Sequence, residues 1–321
     1  MSVGKQTYTE AFPVSHGLLF HHFHDASHPV GQGSISGDDL FEIVDRIGRH
    51  HFLSAGDWME RARAGRLQPD DLCLTFDDNL RCQHDVALPV LDALGLGAFW
   101  FVYTSPLQGV MERLELYRYF RSVQYPDFDA FFAAFLDYLA GTPHGAGLDA
   151  IMASTDAASY LDEFPFYSLT DRQFRYLRDI HLGEARYDEV MEGMINVSAL
   201  PVADIHDRLW MDGDTLRGLA AAGHIVGTHS HTHPTRIEML PDGALRDEHV
   251  TSHRLLSDLL GAAPRAMSHP CNMWDGRTLD ILDGLGFDIG FAARLEVGHD
   301  SRFLYPRHDH ADVMTFLGMR E

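Results

Sequence analysis

Two short clusters hold the residue types that metal-assisted hydrolysis needs. Asp77 and Asp78 are adjacent carboxylates at the end of the apolar run Leu72–Phe76 (LCLTF). Like charges side by side raise each other's pKa, and a cation relieves that cost. Neighbouring side chains on an extended chain point to opposite sides, so one carboxylate can ligate while the other serves as a base. The plainer alternative is an Asp-rich turn that caps a helix. The second cluster is His229-Ser230-His231-Thr232-His233-Pro234. Histidines four apart share one face of a helical turn, ~5–6 Å between Cβ atoms, which suits one metal ion. An exposed histidine-rich loop is the competing reading. The zinc-protease helix motif does not apply, because it needs Glu after the first His, and here Ser230 follows and Pro234 ends the segment.

Both clusters follow predicted strands. In α/β barrels and open α/β sheets, reactive groups gather at the carboxyl ends of strands, so one topological rule brings the two together. Two histidines and one carboxylate leave a coordination position open, as catalytic metal sites do. A third polar cluster, Pro306-Arg307-His308-Asp309-His310-Ala311-Asp312, follows a predicted last strand at Phe303–Pro306 and offers a guanidinium and two imidazoles.

The elements that must position these residues alternate. Strands are expected at Leu18–Phe23, Leu72–Phe76, Gly97–Tyr103, Gly223–Thr228, Arg265–Ser268 and Asp288–Ala292. Helices are expected at Gly37–His50, with Leu40, Ile43, Val44 and Ile47 on one face, and at Gly56–Ala64. Others fall at Asp85–Leu94, where Pro89 predicts a kink, at Asp212–Ala222 with Asp212 as N-cap, at Gly243–Leu260 and at Arg277–Leu285. The alternation predicts a mainly parallel α/β sheet, doubly wound or closed into a barrel. From about 105 to 210 the pattern turns helical and aromatic, with helices at Asp129–Ala140, Thr170–His181 and Ala185–Val197 and a capping box at Thr170 and Gln173. This stretch reads as a helical insertion in a single domain spanning 1–321, its aromatics serving packing or a dimer contact, or a lid.

Asp and Glu number 47 against 25 Lys and Arg, a net charge of −22. Such a surface repels nucleic acid and anionic membranes. No apolar run approaches the ~18 residues of a membrane span, and the first residues lack the apolar core of a signal peptide, so a cytoplasmic protein is expected. Cys73, Cys82 and Cys271 form no CxxC pair and suggest neither a disulfide framework nor a cysteine zinc site. The 21 histidines favour a metal site.

Thr75-Phe76-Asp77-Asp78 and His229-Ser230-His231-Thr232-His233-Pro234 resemble the first and second motifs of the polysaccharide deacetylase family, the NodB-homology or carbohydrate esterase family 4 group. Both are complete and in family order, although the gap of about 150 residues between them is long for that family. The resemblance covers Leu18–Tyr103 and Leu209–Asp312. Ser268-His269-Pro270-Cys271-Asn272 and Pro306–Asp312 resemble a subgroup encoded among bacterial surface-polysaccharide genes. The resemblance implies an irregular (β/α)7 barrel, with Asp77 as general base and Asp78, His229 and His233 as ligands of a divalent metal. That metal is usually zinc, with cobalt, manganese, iron or nickel in some members. The family's third motif begins with an Arg that orients the catalytic Asp. Ser268 stands in the corresponding position here, and Arg307 is expected to supply the charge from another strand. The family's late Leu-x-His, source of the general acid, is absent in plain form. His310 is the first candidate for that role, before His308 and His269.

The implied reaction is hydrolysis of an N-acyl group, N-acetyl first, from an amino sugar or glycan precursor. A homo-oligomer is compatible with this reading. The alternatives are an N-deformylase on the same site, a catalytically silent metal- or carbohydrate-binding homologue, and a non-haem iron oxygenase with a two-His, one-carboxylate centre. The last leaves Asp77 unexplained.

Overall fold

The computed structural model describes residues 6–162, 168–295 and 301–320. The chain divides into two compact units, one built from Met1–Glu112 with His206–Glu321 and one from Arg113–Ile205.

The first unit is the barrel. Its strands are β1 (His16–Phe20), β2 (Leu72–Phe76), β3 (Phe99–Val102), β4 (Ile225–Thr228), β5 (Ala266–Ser268), β6 (Ile289–Phe291) and β7 (Arg307–Asp309). They form one sheet in the order β6-β5-β4-β3-β2-β1-β7, with every pair parallel. Between β6 and β7 the preceding segment fills the gap: Phe291 bridges Tyr305, and the Tyr305 N–H donates to the Gly290 carbonyl at 2.9 Å. The result is a nearly closed, irregular (β/α)7 barrel, as the alternation and the resemblance predicted.

Period-2 alternation decides what faces inward. Cys73 of β2 packs with Phe99, Phe101, Ala266, Ile289 and Phe291, all buried. Helices α1 (Gly37–Ile47), α2 (Ala55–Arg63) and α3 (Leu88–Leu94) belong to this unit. Trp58 of α2 joins the inner cluster, its ring 5.1 Å from Phe291 and 4.9 Å from Tyr305 between centroids. Phe76 faces the other way and stacks on Trp100 at 4.5 Å. Two glycines make inner space. A Cβ at Gly17 would stand 2.9 Å from the Thr75 methyl and 3.3 Å from Cγ of Arg307, and one at Gly227 would stand 2.4 Å from the Ala266 carbonyl oxygen.

α1 buries the predicted Leu40, Ile43, Val44 and Ile47, and Ser36 caps it by accepting from the Asp39 N–H. No sharp break stands at Pro89: a wide turn over Gln83–Ala87 leads directly into α3, with Pro89 in the first turn of α3. The Leu88 N–H reaches back to the Gln83 carbonyl, and Pro89 has no N–H with which to continue that ladder.

The second unit holds α4 (Arg113–Gln124), α5 (Phe128–Ala140), α6 (Leu169–Tyr176) and α7 (Gly183–Ser198). Phe128, Phe131, Phe132 and Phe135 pack around Phe174, with centroids 5.3–6.1 Å apart. The helical unit starts at 113 and ends at 205, inside the expected 105–210. The flanking residues belong to the barrel, where Pro106 accepts from His206 Nε2 at 3.0 Å and Trp210 Nε1 donates to the Tyr103 hydroxyl at 2.6 Å. Ser168, rather than Thr170, caps α6, because its hydroxyl reaches the Asp171 N–H.

Back in the barrel unit, Asp212 caps α8 (Gly213–Ala221) as expected. α9 (Asp242–Leu260), α10 (Gly276–Gly284) and α11 (His310–Phe316) complete it. Among the described residues no helix is long and apolar enough to cross a membrane.

Candidate metal centre

Asp77 extends β2 by one ladder bond, its N–H donating to the Phe20 carbonyl at 3.1 Å. The next two residues leave the extended region: Asp78 has φ +80° and Asn79 φ +57°. Left-handed backbone at two non-glycine residues is costly and persists where surroundings impose it. Here the Asn79 side chain donates to the Met211 carbonyl at 3.2 Å, and the Met211 N–H returns a bond to the Asn79 carbonyl. Buried Gln83 ties the ends of β1 and β2 together by donating to the carbonyls of His21 and Asp77. The two carboxylates still diverge as the sequence suggested, but a left-handed turn separates them, not extended chain.

The histidine cluster follows β4 in an irregular loop. Ser230 has φ +64° and His233 φ +54°, so the two ligand histidines are not stacked by a helical turn. The loop folds back until the His229 and His233 rings lie 4.9 Å apart. Glu248 of α9 fixes that shape. Its carboxylate accepts from the His231 N–H at 2.9 Å and from the Thr232 N–H and hydroxyl at 2.8 and 2.6 Å. His231 itself bonds Thr104 at 2.9 Å and stays out of the ligand set. We expect Glu248→Ala to weaken metal binding about 10–100-fold, the usual cost of losing a residue that orients ligands. Competition against a chromophoric chelator measures this, and wild-type affinity in the variant would refute it.

Asp78, His229 and His233 each offer a ligand atom, all within 4.8 Å of one another. Asp78 Oδ1 lies 3.6 Å from His229 Nε2 and 3.4 Å from His233 Nε2. His229 Nδ1 donates to the Ser268 carbonyl at 2.9 Å, which places its lone pair on Nε2, toward Asp78. Burial pushes the His229 pKa down to about 3, with Asp77 opposing and His233 reinforcing the shift, so the ring is neutral. One carboxylate and two imidazoles, one of them fixed in its ligating tautomer, fit a divalent metal with an open position.

Asp77 stands on the other side of His229, with Oδ2 3.7 Å from Nε2. It is 2% exposed, and the guanidinium that grips it, Arg307, is 0% exposed. Arg307 Nη1 and Nη2 donate to Asp77 Oδ1 and Oδ2 at 2.7 and 2.8 Å, and its Nε donates to the Ala292 carbonyl at 2.7 Å. Burial pushes the Asp77 carboxyl up. Arg307 and His229 more than offset this and hold it well below the usual carboxylate range. Ser268 links the two halves: its hydroxyl donates to Asp77 Oδ1 at 3.1 Å and lies 2.6 Å from His229 Nδ1. The guanidinium that Ser268 cannot supply thus arrives from β7.

The structure joins Asp77, Asp78, His229, His233 and Arg307 in one constellation. Among the described residues no hydrogen bond or ion pair joins the other candidate histidines to Asp77 or Asp78. His310 Nε2 donates to the Gly33 carbonyl at 2.9 Å, and its ring stacks on Phe20. His308 bonds the Tyr8 hydroxyl at 2.8 Å, and His269 bonds the Phe303 carbonyl at 2.9 Å. The imidazole that does approach is one that sequence reading passed over. His21 follows β1, with Nε2 4.0 Å from Asp78 Oδ2 and a side chain 32% exposed. The signal was there, since His21 stands at a strand's carboxyl end like the two recognised clusters, but the expected strand ran on to Phe23 and hid it.

The fold and this constellation define a NodB-like barrel with a site at the carboxyl ends of its strands. A protein-family model described as polysaccharide deacetylase matches residues 195–290. Among solved structures the chain is similar to IcaB from Ammonifex degensii, at 15% identity and TM-score 0.55, with 96% of each chain covered. It is similar to the Streptococcus pyogenes deacetylase PplD in complex with acetate, at 14% identity and TM-score 0.53, with 92% of each chain covered. It is also similar to a de-N-acetylase from Aggregatibacter actinomycetemcomitans, at 12% identity and TM-score 0.53, covering 94% of this chain and 99% of the other. No curated protein sequence matches. At these identities the structural likeness is one of fold. In motifs, family model and fold, the chain resembles the polysaccharide deacetylase family.

Proposed function

We propose that the chain is a metal-dependent N-deacetylase that removes the acetyl group from an amino sugar or glycan precursor, with zinc as the first candidate metal. Family resemblance and fold support N-deacetylation of a carbohydrate. The observation that carries the finer reading is the Asp78, His229, His233 triad beside a carboxylate clamped by a buried arginine. A divalent metal held by the triad would supply Lewis acidity, lowering the pKa of a water and polarising the acyl oxygen. Asp77, ionised and held by Arg307 and Ser268, takes the proton of the attacking water. Neutral His229 is fixed by Ser268 and competes for no proton. His21 Nε2, 4.0 Å from Asp78 Oδ2 on a half-buried side chain, is the proton donor to the leaving nitrogen; burial pulls its pKa down to about 4, with Asp77 and Asp309 opposing. A cytoplasmic precursor, nucleotide- or lipid-linked, is the substrate class we favour.

Acetate and formate release from a panel of free and nucleotide-linked N-acyl amino sugars tests the reaction, with zinc- and cobalt-loaded protein. Metal-dependent acetate release is expected; release of formate alone would make the chain a deformylase. We expect Asp78→Ala and His233→Ala to purify without stoichiometric metal, and wild-type metal content in either would remove it from the ligand set. Replacing His21 with Ala should lower kcat about 10²–10⁴-fold, the range for loss of a general acid. His310→Ala should stay within about tenfold of wild type, because its bond to Gly33 is structural. The reverse pattern would return the acid role to His310.

A further inference from the structure

Two of the three proposed metal ligands follow different strands, Asp78 after β2 and His233 in the loop after β4, and β3 runs between those strands in the sheet. A metal shared by the two needs Asp78 Oδ1 and His233 Nε2 held close, and they stand 3.4 Å apart. The segment Trp210-Met211 reaches both. It follows the point, His206, at which the chain returns to the barrel unit. On one side Trp210 bridges Leu80 in antiparallel fashion, and Met211 exchanges two bonds with Asn79, at 3.0 and 3.2 Å. On the other side Trp210 Nε1 donates to the Tyr103 hydroxyl at 2.6 Å, and the Tyr103 ring lies 5.4 Å from the His233 ring. His206 backs the indole, its ring 5.2 Å away and its Nε2 donating to the Pro106 carbonyl at 3.0 Å.

Asn79, Leu80, Tyr103, Trp210 and Met211 are each at most 3% exposed. A buried indole N–H needs its acceptor, so the Trp210 ring and the Tyr103 hydroxyl hold each other in one place. Tyr103 in turn walls the His233 ring, whose other ring neighbour is His229 at 4.9 Å. Met211 acts on the opposite ligand, because its two bonds impose the left-handed turn at Asp78 and Asn79. We propose that Trp210, through Tyr103, and Met211, through Asn79, are positioning residues that set the separation of Asp78 and His233. The proposal rests on the reading of Asp78, His229 and His233 as metal ligands. The segment that follows the helical unit in the chain thereby governs metal affinity and geometry, although the indole N–H is a donor only and cannot ligate.

The test titrates cobalt(II) into the full chain after a chelator has removed any metal. The visible absorption of bound cobalt reports its coordination geometry, and competition with a chromophoric chelator in separate samples gives its affinity. Tyr103→Phe removes the acceptor and keeps the ring against His233, while Trp210→Phe removes the donor. Each is expected to bind cobalt about 10–100-fold more weakly, the usual cost of losing a group that orients a ligand, with an altered spectrum. The double variant should be no weaker than the weaker single one, because both lose the same bond. Wild-type affinity and spectrum in both variants would overturn the positioning role, and a fall in melting temperature alone would leave the pair merely structural. Wild-type protein that takes up no cobalt would overturn the ligand reading itself, and the positioning role with it, so the two failures are told apart. Should Trp210→Phe fail to fold, Tyr103→Phe decides the matter alone.

Discussion

Asp77→Asn should retain its metal and lose about 10²–10⁴-fold in kcat, the range for removing a general base. The substitution changes little in shape. The Asn Oδ1 can still accept from one nitrogen of Arg307, but its amide N–H₂ then faces the other, donor against donor, where Oδ2 now accepts at 2.8 Å. It also removes the negative charge that compensates a fully buried guanidinium. A drop in melting temperature should therefore accompany the loss of rate. Metal content separates the two effects, because none of the triad is altered. Folded, metal-replete Asp77→Asn working within tenfold of wild type would remove Asp77 from the base role.

Arg307→Ala should be the most destabilising single change in the barrel, costing about 3–5 kcal/mol, because it strands a buried carboxylate. That is a large share of the roughly 5–15 kcal/mol by which a domain is stable. Arg307→Lys should recover only part, since an ammonium cannot span both oxygens and the Ala292 carbonyl as the fork does. Combining Arg307→Leu with Asp77→Asn removes both charges and should be less destabilising than Arg307→Ala alone, while leaving the enzyme inactive. Urea denaturation of the four proteins measures this. A cost below about 1 kcal/mol for Arg307→Ala would show that the pair is not what keeps Asp77 ionised.

Much of the barrel and its candidate metal ligands was legible in the chain. Leu72–Phe76 and Gly97–Tyr103 are apolar enough to read as strands buried on both faces; Asp77 follows the first directly, and His229 directly follows the expected strand Gly223–Thr228. A rule about strand ends then places them together without any knowledge of register. Less local features were not legible. The turn that brings His233 onto His229 depends on left-handed Ser230 and His233 and on Glu248 of α9, which accepts from the His231 and Thr232 N–H groups between them, and no helical spacing encodes it. The insertion starts at 113 because His206 and Trp210 pack back on the barrel at Pro106 and Tyr103. His21 is one of three histidines in His21-His22-Phe23-His24, and only the strand's true end at Phe20 tells which of them meets Asp78.

Apolar runs and strand-end position are local properties, so the alternating architecture, the two carboxylates and the two candidate ligand histidines can be read from the chain alone. Only the tertiary structure decided that Arg307-His308-Asp309 is a strand and not the loop after one. An arginine can line the inside of a barrel when a carboxylate neutralises it, and here that carboxylate lies 230 residues away in the chain. No window of sequence around Arg307 contains the partner that makes its burial favourable.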